Sequence, residues 1–304
     1  MQSDQQPLEP APTIWLIGAA GQLGTALRAG APRERDIRAL TSADVDLADA
    51  ESIRTALRDV RAGDVVLNTA AHTAVDRAES EPERAAAVNA LAPGVLAEIT
   101  AASSAWLIHI STDYVFADAA GERDTPYEPG DTDPDAAPPS VYGATKRAGE
   151  IAALAADPDA TIVRTAWVYT GGPDSPDFVG TMRRLERTRD TVDVVDDQTG
   201  SPTYAPDLAA GLWELVAGGH RPGVAGAILH ATNAGEVTWF EVARAVFAGL
   251  GADPGRVHSC RTDEFPRPAP RPAYSVLSPR SWTEAGLTPL RDWSIALSDA
   301  LAAR

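Results

Sequence analysis

The chain contains a single lysine, Lys146, four residues after Tyr142 in the run Ser140-Val-Tyr-Gly-Ala-Thr-Lys146. Arginine fills every other Lys/Arg position. It would serve a solvated helix face equally well, and its guanidinium never gives up its proton. A compact ammonium kept at one position suggests chemistry that needs it. Residues four apart on a helix share a face, so the ammonium is expected beside the phenol. There it favours phenolate and lowers a pKa that is otherwise about 10. The pair reads as a proton donor and its tuner. A chance surface cation is the bland alternative.

Three further stretches bear on a site. Gly18-Ala-Ala-Gly21-Gln-Leu-Gly24 follows an apolar run and opens a helical one. That context puts glycines at a tight turn, at the closest approach to a pyrophosphate and at a strand–helix contact, with free amides at the helix start. Asn68-Thr-Ala-Ala-His-Thr73 ends another strand, where open parallel sheets bind ligands. His72 has no evident carboxylate or metal-ligand partner, so it is read as lining a cofactor site. Ser111-Thr-Asp-Tyr-Val-Phe116 ends the fourth strand. Thr112 is taken as the hydroxyl that meets a substrate carbonyl together with Tyr142, and Ser111 as a polar strand cap.

The elements that position these residues alternate. Strands are expected at Thr13–Gly18, Asp36–Leu40, 64–69, 105–110 and 161–164. Helices are expected at about 22–29, 50–60, 83–102 and 140–156. This order implies an α/β fold, a Rossmann-type doubly wound parallel sheet with right-handed crossovers. Beyond about residue 170 the rhythm loosens, with helices near 178–188, 206–217 and 239–250. A smaller C-terminal substrate-binding lobe is expected there. The expected division is a disordered leader over 1–12, a dinucleotide-binding domain over 13–170 to which 203–235 return, and a lobe drawn mainly from 171–304. The stretches Asp118–Pro139 and Phe265–Pro272 read as a long acidic loop and an extended Pro/Arg segment. Arg267 and Arg271 are candidates for an anion-binding patch.

Composition narrows the class. The 304 residues carry a formal net charge of −17, which argues against nucleic-acid or anionic-membrane partners. Any anionic ligand then needs local arginines and backbone amides. Cys260 is alone and can form no intramolecular disulfide. No signal peptide is apparent and no apolar run approaches membrane-spanning length, so a cytoplasmic location is expected. The five histidines are scattered, without the spacing of a ligand pair; no metal is expected.

Together these pieces resemble the extended short-chain dehydrogenase/reductase family and, within it, the branch of dTDP-4-dehydrorhamnose reductases. The resemblance runs from about Trp15 to the C-terminus. It rests most specifically on Ala70-Ala-His-Thr-Ala-Val-Asp76, Ser111–Phe116 and Arg164-Thr-Ala-Trp-Val-Tyr169. It implies NADPH, with NADH the alternative, over Gly18, Gly21, Gln22, Leu23 and Gly24. Asp46 and Leu47 would lie near the adenine, and Ala71, His72 and Thr73 along the middle. Lys146 would bind the nicotinamide ribose, while Thr112, Asp113, Trp167 and Arg271 would meet a nucleotide-sugar substrate. The implied reaction is reduction of a sugar C4 ketone, with Tyr142 as proton donor. Another nucleotide-linked 4-keto-deoxysugar, a non-catalytic dinucleotide-binding subunit and an epimerase are the rival readings. Thr41-Ser42 stands where an acid often binds the ribose 2′-hydroxyl, which favours NADPH. Ala26 stands where some members place a metal-binding carboxylate, so a monomer or weak homodimer is expected.

Overall fold

The segment Thr13-Ile-Trp-Leu-Ile17 is buried at every position and forms the first strand, β1. A strand flanked by neighbours and covered on both faces needs apolar side chains at both parities. Ile14 and Leu16 face one apolar cluster, and Trp15 and Ile17 face another. The strand starts at a buried carboxylate. Asp64 Oδ1 accepts from the Thr13 amide at 2.8 Å and Oδ2 from the Trp15 indole at 3.0 Å.

The computed structural model of the chain describes residues 12–117 and 123–302. The proposed leader, apart from Pro12, and residues 118–122 of the acidic loop lie outside them. After β1 come α1 (Gln22–Ala29), β2 (Asp36–Leu40), α2 (Ala50–Ala56), β3 (Val65–Asn68), α3 (Val75–Ser80), α4 (Pro82–Ala86), α5 (Ala92–Ser103), β4 (Trp106–Thr112), α6 (Val141–Ala156) and β5 (Thr161–Thr165). A π-turn over Ala87–Leu91 joins α4 to α5. The short strand β6 (Val168–Tyr169) is followed by α7 (Phe178–Thr188), β7 (Val192–Val195), β8 (Thr199–Gly200), β9 (Thr203–Tyr204) and α8 (Ala205–Gly218). Then come β10 (Ile228–His230), β11 (Val237–Thr238), α9 (Trp239–Gly249), β12 (Val257–Cys260), α10 (Arg280–Glu284) and α11 (Trp293–Ala302).

The main sheet has the order β10-β5-β4-β3-β1-β2, and its pairings are parallel. This is the doubly wound sheet expected from the alternation. The chain leaves β1 in one direction to β2 and returns in the other through β3. The crevice beyond the carboxyl ends of β1 and β3 is therefore the switch point at which such sheets bind ligands. A separate apolar cluster joins Val179 and Met182 of α7, Val192 and Val194 of β7, Val246 and Phe247 of α9, and Leu297 of α11.

One expectation needs correction. The helical run Pro82–Ser103 has 22 residues and a mean hydropathy of 1.4, enough by length and composition to cross a membrane. In the fold its Ala92, Leu96 and Ala97 pack with Leu107 of β4, Ala153 of α6 and Ile162 of β5. The described part of the acidic loop, from residue 123, packs against the body of the fold. Tyr127 is buried and stacks on Phe116 at 4.0 Å between ring centroids, and Arg147 donates to the carbonyls of Asp133 and Ala136.

Helix α6 is tied to the sheet by a buried ion pair. Arg164 on β5 reaches Glu150 with Nε at 2.9 Å and Nη2 at 2.7 Å, a bidentate fork with both side chains almost fully buried. Removing one partner strands the other charge. Glu150→Gln is expected to lower the unfolding free energy by about 3–5 kcal/mol, visible as a lower urea midpoint. The double change Glu150→Leu with Arg164→Met should recover most of that loss. A single-mutant midpoint equal to the parent's would refute this account.

Candidate active site

At the end of β1 the chain turns through Gly18, at φ +84°. A Cβ there would lie 2.7 Å from the Ala70 amide nitrogen, and one on Gly24 would lie 2.2 Å from the Gly18 carbonyl oxygen. Only glycine permits both approaches. Gly21 caps α1 in an extended conformation without any side-chain bond to the first-turn amides. Those amides remain available to an anion at the positive end of the helix dipole. The glycine turn thus fits a dinucleotide pyrophosphate.

One cavity of about 1410 Å³ runs from this turn to the separate apolar cluster of α7 and α9. The catalytic and cofactor-site candidates named from the sequence all line it, whereas Arg267 and Arg271 do not. Gly18–Gly24 with Asp46 and Leu47 stand at one end, and Ala71, His72 and Thr73 along the wall. Thr112, Asp113, Tyr142 and Lys146 occupy the middle, and Trp167 the far end. Arg271 instead pairs with Asp76 at 2.9 Å, and Arg267 lies 3.9 Å from the same carboxylate. Asp76 thus offsets one of the two guanidinium charges of the expected patch. His72 also departs from expectation, because Glu81 supplies the carboxylate, 3.4 Å from Nε2. The two residues lie nine apart across a helix boundary, so no short-range spacing announces the pair.

Ser140 caps α6 by accepting from the Gly143 amide at 3.1 Å, which fixes where the Tyr142 turn begins. Tyr142 is buried, and burial raises its phenol to about 12; the Thr112 hydroxyl pulls it down and Asp113 pushes it up. The shift is opposite to the one expected from a neighbouring ammonium. Lys146 is 2% exposed and donates to the Ile110 carbonyl at 2.7 Å. Burial lowers its amine to about 8, against the pull of Glu150. The low-polarity site disfavours both charged forms.

The two hydroxyls of β4 differ in their partners. Thr112 is the cap, donating to Asp113 Oδ1 at 2.9 Å and accepting from the Tyr114 amide at 3.3 Å. Ser111 lines the cavity with a buried oxygen that has no partner. The Asp113 Oδ2 atom is likewise buried and unpartnered.

The far end of the cavity was only partly legible. Trp167 holds the left-handed φ of +48° and stacks on Trp239, with ring centroids 3.5 Å apart and planes 8° from parallel. A Cβ on Gly200 would meet the Trp167 ring at 2.5 Å, so the stack needs glycine there. Trp239 opens α9 more than seventy residues downstream, and nothing local marks it as a site residue. Asp177, also missed, accepts from Gln22 Nε2 at 2.9 Å and the Thr170 amide at 2.8 Å, joining the glycine turn to the cluster of α7 and α9. After β2, Asp44 Oδ2 accepts from the amide and hydroxyl of the cavity-lining Thr41, each at 2.8 Å.

Residues 12–304 match the family described as the RmlD substrate binding domain. The chain belongs to this family. It is 55% identical to a dTDP-4-dehydrorhamnose reductase of Mycolicibacterium smegmatis over 95% of this chain and 85% of that one. It is 49% identical to a probable dTDP-4,6-dihydroxy-2-methyloxan-3-one 4-ketoreductase of Streptomyces antibioticus, covering 94% of each. The crystal structure of dTDP-4-dehydrorhamnose reductase from Bacillus anthracis in complex with NADP superposes with a TM-score of 0.87. Identity there is 31%, over 97% of this chain and all of the other. Membership makes the chain an oxidoreductase of the extended short-chain dehydrogenase/reductase type, as the motifs implied.

Burial raises Asp113 to about 6, offset in part by hydrogen bonds from Ser275 and Thr112. A raised carboxyl pKa means that the folded state binds the proton more tightly than the unfolded chain. The resulting destabilisation is absent below about pH 4 and complete above about pH 6, at roughly 2–3 kcal/mol. Asp113→Asn should therefore raise the melting temperature at pH 7.5, with the gain vanishing as pH falls from 6 to 4. A gain that did not change with pH would show that the carboxylate charge is not the cause.

Proposed function

We propose that the chain reduces the C4 ketone of dTDP-4-dehydro-β-L-rhamnose to dTDP-L-rhamnose with NADPH. The observation that carries this reading is the single cavity linking the glycine turn to Tyr142, Lys146 and the Trp167 end. The Mycolicibacterium smegmatis relative, similar over nearly the whole chain, supports the choice of reaction. NADP in the Bacillus anthracis relative supports the choice of cofactor.

In this reading the first-turn amides of α1 hold the pyrophosphate. Thr41, Ser42, Asp46 and Leu47 line the adenosine end, and Ala71, His72 and Thr73 the middle. The nicotinamide supplies the hydride, and the remaining tasks fall to the side chains. Tyr142 gives its proton to the oxygen of the ketone as negative charge develops there. Its high pKa keeps it protonated throughout the neutral range, as an acid for reduction must be. Lys146 sits one helical turn away and binds the ribose hydroxyls. Thr112 polarises the carbonyl by turning its hydrogen away from Asp113 Oδ1. Ser111, buried without a partner on the same strand, offers a second donor. Trp167 presents an aromatic face to the sugar, and Asp113 an unpaired carboxylate oxygen. Arg271 is released to the substrate diphosphate only by giving up Asp76.

The reading is tested by following NADPH oxidation with dTDP-4-dehydro-L-rhamnose generated in situ. Tyr142→Phe should lower turnover about 10²–10⁴-fold with NADPH affinity retained. Turnover equal to the parent's would remove Tyr142 from its role. The Streptomyces antibioticus relative favours a second reading, a 4-ketoreductase for another dTDP-linked sugar. A panel of 4-keto sugars separates the two.

Cofactor choice has its own test. Thr41 and Ser42 hydroxyls accommodate a 2′-phosphate better than a carboxylate would, and the Asp44 oxygen that faces them is already occupied by Thr41. NADPH should bind more tightly than NADH in a fluorescence titration. The reverse order would assign the adenosine end to NADH.

A further inference from the structure

Gln22 opens α1 and does two things at the glycine turn. Its backbone amide is among those left free for an anion. Its side chain leaves the turn and crosses to the segment that begins α7. There Nε2 donates to Asp177 Oδ2 at 2.9 Å and to Ser175 Oγ at 3.3 Å. Gln22, Ser175 and Asp177 all line the cavity. Among the described residues, no other hydrogen bond joins the glycine turn to residues 170–179.

The carboxylate does not need this contact. Asp177 Oδ1 caps α7 by accepting from the Gly180 amide at 2.8 Å. Oδ2 already accepts from the Thr170 amide at 2.8 Å, the Thr170 hydroxyl at 3.0 Å and the Gly171 amide at 3.3 Å. The Ser175 hydroxyl donates to the same oxygen. These local donors exceed what the lone pairs of one oxygen can take. A further donor from 155 residues away in sequence adds little to Asp177 except a link. Both posts of that link are fixed. Arg183 donates to the Gly171 carbonyl and Arg184 to the Ser175 carbonyl, each at 2.7 Å, so α7 holds the segment that carries Asp177. The Gly21 amide donates to the Gly18 carbonyl at 2.9 Å, which holds the turn. The movable part is the Gln22 side chain, which turns about its own rotatable bonds.

We propose that the Gln22 side chain is a crossbar over the dinucleotide site, latched by Asp177, and that it slows the passage of the cofactor in both directions. The inference rests on the dinucleotide lying over the glycine turn; it does not depend on which keto sugar is reduced. A pyrophosphate on the first-turn amides has its adenosine toward Thr41 and Asp46 and its nicotinamide toward Tyr142 and Lys146. It therefore runs across the foot of the bar. Asp177 is a positioning residue, since it acts on the cofactor only through Gln22. The latch is made between groups of the chain and asks nothing of the ligand. It is equally strong with the site filled or free, so it acts on the rates more than on the affinity. A hydrogen bond to an ionised group keeps the bar latched on the order of ten times more often than not. Rotamer changes are far faster than ligand exchange, so entry and exit are each slowed by about that factor.

Stopped-flow fluorescence of NADPH with the full chain gives the association rate, and displacement by excess NADP⁺ gives the dissociation rate. Gln22→Met keeps the side-chain length and the backbone amide but has no donor. It should raise both rate constants by about tenfold, with Kd changing by less than either. Asp177→Asn removes the ionised acceptor and should show the same signature; it stands in if Gln22→Met does not fold. The double variant should rise no further, because a bar released at one end gains nothing from release at the other. A contact to the ligand itself acts mainly on dissociation. A dissociation rate that rose alone, with Kd weakened by the same factor, would therefore overturn the proposal. Rates equal to the parent's, or effects that multiply in the double variant, would overturn it as well. A parent chain that bound no NADPH would instead remove the dinucleotide from the glycine turn, which is a separate result.

Discussion

Helix α6 lies close enough to its neighbours that a methyl group could not fit between them, and the site follows from that approach. A Cβ on Gly143 would fall 2.2 Å from the Tyr114 carbonyl oxygen, and one on Gly149 would fall 2.0 Å from that of Asn89. With hydrogens in both places the helix drops onto the carboxyl ends of the strands. Lys146 then reaches the Ile110 carbonyl, and Glu150 reaches Arg164. The π-turn over Ala87–Leu91 belongs to the same contact. Its Asn89 side chain accepts from the His72 amide at 2.8 Å and donates to the His72 carbonyl at 3.1 Å, so the turn braces the cofactor wall as well as the helix. Single-turn π insertions frequently occur at functional sites, and here the insertion sits between two walls of one cavity.

That closeness also sets the electrostatics. Tyr142, Lys146 and Asp113 are all shifted toward their neutral forms, with burial as the leading cause each time. A phenol kept protonated in this way would suit proton donation to a developing alkoxide, the role proposed for Tyr142. The buried ion pair of Glu150 with Arg164 joins α6 to β5 and anchors the helix. The large negative net charge of the chain leaves an anionic ligand dependent on local donors, and the free first-turn amides of α1 are such a place.

The apolar cluster of α7 and α9 completes the cavity through a few long-range contacts. Gln22 meets Asp177 across 155 residues of sequence, and Trp167 meets Trp239 by stacking. These contacts set the distance between the glycine turn and the substrate end, and hence what length of ligand the cavity accepts. Trp167 holds a left-handed backbone, which costs on the order of 1–3 kcal/mol for a residue of its size. The stack on Trp239 and the glycine at position 200 are what make that conformation tolerable.

The sequence by itself determined what depends on neighbours a few residues apart. Period and composition announce β1, the switch to α1, and the parallel alternation through β5. The spacing of Gly18, Gly21 and Gly24 announces a tight turn, and the spacing of Tyr142 and Lys146 a shared helix face. The motifs around Ala70–Asp76 and Ser111–Phe116 reach further, as far as the family. Tertiary structure alone decided the quantities that depend on what a side chain faces. Burial reversed the expected shift of the Tyr142 phenol, and the turn after β4 made Thr112 the cap and Ser111 the orphan. Asp76 paired with Arg271, and Glu81 reached His72. The His109 ring lies between Asn68 and Lys146 because β3, β4 and α6 converge there. Each of these turns on desolvation or on a partner distant in sequence, and neither can be read from local spacing.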